Sequence, residues 1–179
     1  KAAQEKGYQV LLLDSPIVAH LIQKLEGSKE KIAFARVDGD AIENLIKKET
    51  ASVSKLSEEE KETLKPLIEG VIADEKYSVQ LEAMDSQGLP FVLTQPEFMR
   101  RMKDMQQTGG GSMMGNLPEM YTLLVNTNHE LVGQILNTRT AKKRERLIQQ
   151  ALDLAKLSQN QLKGEALTAF IQRSIELIK

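Results

Sequence analysis

Two segments near the end of the 179-residue chain constrain its fold most. From Ala141 to about Leu157, and again from Glu165 to Ile178, apolar residues recur at helical spacing, with the polar turn SQNQLKG between them. In the first segment Leu147, Ile148, Ala151, Leu152, Leu154 and Ala155 spread over more than one stripe of the helix. In the second, Leu167, Phe170, Ile171, Ser174, Ile175 and Ile178 form a broad arc. An isolated helical hairpin cannot bury two faces this wide. The pattern leaves two outcomes open: the helices complete the core of their own domain, or part of their surface meets another subunit.

The rest of the chain supplies enough apolar material for a core, with a hydrophobic fraction of 41% and a formal charge of -1. Near-neutrality argues against a general nucleic-acid binder. The basic run KKRER at 142–146 contains Glu145 and has no neighbouring aromatic for base stacking, so it reads as a solvated helix face. Absence of Cys excludes disulfides, thiolate metal sites and a Cys nucleophile, and is compatible with a reducing cytosol. No apolar run approaches the ~18–20 residues of a membrane span, and the opening KAAQEKG has no secretory apolar core. A soluble, cytoplasmic chain is expected, cut from a longer protein because it begins without Met.

Along the chain, strand and helix patterns alternate. YQVLLL at 8–13 predicts a buried strand, and Asp14-Ser15-Pro16 a cap and first turn for a helix through Leu25. KIAFARV at 31–37 predicts a second strand, and Asp38-Gly39-Asp40 the start of a second helix. The small polar run TASVSKLS at 50–57 predicts a linker. Beyond it, Ser57-Glu58-Glu59-Glu60 is a capping box, followed by Leu64, Leu67, Ile68, Val71 and Ile72 at helical spacing; Pro66 should kink or break this helix. YSVQLEAM at 77–84 and LPFVL at 89–93 flank Ser86-Gln87-Gly88 and predict a hairpin. MYTLLVN at 120–126 predicts a third strand, and Asn126 or Asn128 the cap of a short helix from His129 to Leu136. The expected class is α/β in the α+β sense: a small β-α-β-α segment, then a mixed three-stranded sheet with helices, closed by the helical hairpin.

No constellation for catalysis emerges. GGGS at 109–112 fits neither phosphate-loop pattern, and a flexible loop is the simpler reading. His20 and His129 have no metal-ligand spacing; each reads as a partly exposed helix residue, with His129 helping the first turn of its helix pack or cap. Acidic residues sit at caps and in helical pairs with Lys, without a paired carboxylate site or a nucleophile elbow. No metal, cofactor or catalytic residue is expected in this chain.

Methionine is concentrated instead. Five of the seven Met residues lie in FMRRMKDMQQTGGGSMM at 98–114, opened by a second capping box, Thr94-Gln95-Pro96-Glu97. On a helix Phe98, Met99, Met102 and Met105 share one arc, and Met113 and Met114 follow the glycines. Met is unbranched and polarizable, which suits either an irregular core or a surface that fits many partners.

Several stretches resemble the bacterial ninety-kilodalton heat-shock chaperones, the high-temperature protein G family. They are KGYQVLLLDSPIVAHLIQKLEG at 6–27, LKPLIEGVIADEKYSVQLEAM at 64–84, LPFVLTQPEFMRRMKDM at 89–105, YTLLVNTNHELV at 121–132 and ALTAFIQRSIELI at 166–178. Together they cover nearly the whole chain in the family's order. The resemblance implies that residues 1–55 end a middle domain and that residues 56–179 form a C-terminal dimerisation domain. It implies a homodimer through a four-helix bundle, with Leu147, Ile148, Ala151, Leu154, Leu167, Phe170, Ile171 and Ile175 at the interface. It also implies contact with unfolded or partly folded client proteins through Phe98, Met99, Met102, Met105, Met113 and Met114. The ATP and Mg²⁺ site of the family lies in an N-terminal domain that these residues do not contain, so no ATP hydrolysis is expected of them. The end IELIK, in place of an acidic MEEVD tail, implies no docking of tetratricopeptide co-chaperones.

Overall fold

The computed structural model describes residues 2–5, 7–15, 17–28, 53–95 and 120–178, together with residues 32, 34, 36, 37 and 99. The chain divides into two compact units, Lys1–Glu49 with Thr94–Tyr121, and Thr50–Leu93 with Thr122–Lys179.

In the first unit the described helices are α1 (Ala2–Glu5) and α2 (Val18–Glu26). Tyr8–Leu13, expected to be a buried strand, is not one: Val10, Leu11, Leu12 and Leu13 are all exposed and no sheet ladder includes them. Strand composition alone cannot hold a strand, because the backbone groups need a neighbouring chain to pair with. Ile32, Phe34, Arg36 and Val37 are likewise outside any strand, and the helix expected after Asp40 lies outside the described residues. Nor do Asp14 and Ser15 cap α2 through their side chains; its N-cap is Ile17, and the Ser15 carbonyl accepts from Val18 N–H at 3.0 Å instead.

Among the described residues, the second unit carries most of the buried apolar side chains. Its first helix, α3 (Glu58–Ile72), starts at the expected capping box: Ser57 Oγ accepts from Glu60 N–H at 3.3 Å, and Glu60 Oε2 accepts from Ser57 N–H at 2.8 Å. Three glutamates in the first turn add favourable charge against the helix dipole. Ser57→Ala should cost about 1 kcal/mol, read as a lowered denaturant midpoint at unchanged slope. The break expected at Pro66 does not occur. Pro66 and Glu62 both lie on the exposed side, so water can take the carbonyl that the missing N–H would have served, while Leu64 and Ile68 bury the other side. The helix ends on Ala73 in the left-handed region at φ 42°.

The strands are β1 (Tyr77–Glu82), β2 (Phe91–Thr94) and β3 (Tyr121–Asn126), in the order β1-β3-β2. The expected β1–β2 hairpin is therefore absent, since β3 lies between the two. The reason is visible at the end of β3. Asn126 inserts into the connection between the outer strands, accepting from Met84 N–H at 3.3 Å and donating to the Asp85 carbonyl at 2.7 Å and the Leu89 carbonyl at 3.4 Å. Its own N–H reaches the Pro90 carbonyl at 2.9 Å. The connection turns at Asp85–Gly88, where Gly88 N–H donates to the Asp85 carbonyl and Asp85 Oδ1 accepts from Gln87 N–H, both at 3.0 Å. A side chain at Gly88 would meet that same carbonyl at 3.1 Å. As befits a central strand, β3 is buried on both faces, at every position but Thr122.

Three helices follow: α4 (Glu130–Asn137), α5 (Ala141–Ser158) and α6 (Gly164–Ile178). The cap of α4 is His129, whose Nδ1 accepts from Leu131 N–H at 3.0 Å; Asn126 and Asn128, the expected caps, serve other partners. Helix α3 packs on β1, α4 and α5, and α5 packs on α4 and α6. Phe91, Leu93, Leu64, Ile68, Leu123, Val125, Val132, Ile135 and Ile148 form the fully buried core.

Candidate interaction surface on the terminal helices

Helix α5 presents a buried and an exposed apolar side, and α6 an exposed apolar stripe with Phe170 buried at its edge, a division that the sequence pattern could not make. On α5, Ile148, Ala151, Leu152 and Ala155 are buried within the unit, and on α6 Phe170 is 8% exposed. Of the residues expected at an interface, Ile148 and Ala151 thus have no surface left to give, and Phe170 almost none. Leu147 and Leu167 are half-buried, while Leu154, Ile171 and Ile175 are exposed. With Leu157 and Ile178 these last three are between 42% and 85% exposed. Leu167, Ile171, Ile175 and Ile178 recur at four- and three-residue spacing, so they line one stripe of α6. Along α6 these aliphatic side chains form a continuous row rather than scattered exposure.

Between the helices lies a polar seam that the sequence did not reveal. Asp153 is buried on α5 and forms an ion pair with Arg173 of α6. Arg173 Nε donates to Gln150 Oε1 at 3.0 Å, Gln150 Nε2 donates to Ser174 Oγ at 2.7 Å, and Ser174 Oγ donates to the Phe170 carbonyl at 2.8 Å. Gln149 Nε2 closes the other side of the carboxylate at 3.0 Å. Ser174, expected within the apolar arc, belongs to this seam. A second, exposed pair joins Arg146 to Glu176 at 3.4 Å. The seam fixes how α6 lies along α5 and so holds the exposed stripe in one register.

Of the methionine cluster, Met99 is helical and half-buried; Phe98, Met102, Met105, Met113 and Met114, with the Thr94–Glu97 capping box they were expected to follow, lie wholly or partly outside the described residues. Among the described residues no group of His, Asp and Glu is arranged to hold a metal ion, and no helix is long and apolar enough to cross a membrane.

No family model matches the chain. Curated relatives do. It is 44% identical over 141 residues, 76% of the chain, to the chaperone protein HtpG of Porphyromonas gingivalis, and 30% identical over 99% of the chain to those of Bacteroides fragilis and Bacteroides thetaiotaomicron. The chain belongs to the HtpG family. It spans 21% of the length of the Porphyromonas relative and 36% of the Bacteroides ones. The Bacteroides alignments run over 246 positions against the 179 residues of this chain, so those HtpG sequences contain at least 67 positions that have no counterpart here.

Proposed function

We propose that this chain is the dimerisation and client-contact region of an HtpG-type chaperone. In this reading residues 1–55 end the middle domain and residues 56–179 form the dimerisation domain, without ATPase activity of their own. The observation that carries it is the exposed aliphatic stripe of Leu167, Ile171, Ile175 and Ile178 on α6, beside an α5 whose other apolar face is already buried in the unit. Two such pairs related by a two-fold axis would bury Leu154, Leu157, Ile171, Ile175 and Ile178 in a four-helix bundle, each stripe meeting its own copy. Client contact is assigned to the Phe98–Met114 segment, on its methionine content and the family relationship.

Sedimentation of the chain tests the dimer. The unaltered chain should be dimeric at micromolar concentration, and Ile171→Asp with Ile175→Asp should be monomeric. Each carboxylate would be buried without a partner, at roughly 3 kcal/mol or more apiece, over a hundredfold in Kd. Both positions are exposed in the single chain, so the fold should survive and far-ultraviolet dichroism should be unchanged. An unaltered chain that is monomeric at high micromolar concentration, or a double variant that stays dimeric, would refute the assignment.

A further inference from the structure

We draw no further inference here: the strongest candidate, the set of exposed aliphatic side chains that Val10, Leu11, Leu12, Leu13, Ile17, Leu21 and Leu25 place on the surface of the first unit, carries nothing because nothing in the structure shows what covers it.

Discussion

Arg173→Met should destabilise the second unit by about 3–5 kcal/mol, because it leaves the Asp153 carboxylate buried with only the Gln149 amide as a side-chain partner. The side chains of Asp153 and Arg173 are 7% and 19% exposed, so water offers little compensation. A fall in Tm of about 10 °C or more is expected by calorimetry. The informative companion is the double variant Asp153→Leu with Arg173→Met. Removing both charges leaves no unpaired ion, and a well-packed apolar pair of similar volume restores most or all of the loss. A single variant as stable as the unaltered chain would show that the carboxylate is not confined as the structure has it.

The second large effect is expected at Asn126, which is fully buried and whose carboxamide serves four backbone groups: the N–H groups of Met84 and Asn128 and the carbonyls of Asp85 and Leu89. Asn126→Ala strands these groups inside the unit and opens a cavity. At ~1–3 kcal/mol for each stranded group that water cannot reach, a total of about 3–5 kcal/mol is expected if water reaches some of them. Asn126→Asp separates the contributions, since it retains an acceptor for the two N–H groups but has no donor for the carbonyls. Urea denaturation should show lowered midpoints for both. A variant within about 1 kcal/mol of the unaltered chain would remove Asn126 as the lock between the outer strands.

What the sequence revealed was local. The capping box at Ser57, the extent of α5 and α6, and the apolar run of β3 each follow from chemistry within a few residues, and each appears in the structure within a residue or two of where it was expected. The failures that change the topology and the surface are non-local. Two strand patterns around Ser86-Gln87-Gly88 read as a hairpin, because nothing within them says that a strand from residue 121 onward will lie between. Asp153 reads as a solvated helix charge because its partner is on the next helix. Aliphatic residues stand on both the buried and the exposed sides of α5 and α6, so Ile148 and Ile171 look equivalent until packing distinguishes them. Asn128 offered the one available signal: an Asn beside a strand end, next to a helix already capped by His129, has its amide free to bind something else.

The position of β3 also dictates an order of events. While the chain is being synthesised, β1 and β2 are complete by Thr94, yet neither has its hydrogen-bonding neighbour until Tyr121–Asn126 emerges. Until then the edges that β3 will fill are open, the state most prone to pairing with other chains. Closure is then a single step, in which one strand satisfies both edges and Asn126 engages the connection. The excursion from residue 95 to 120 sets the entropy of that step only weakly, each doubling of its length adding about 0.6 kcal/mol. A chaperone-family chain therefore passes through an interval on the ribosome in which it resembles a client.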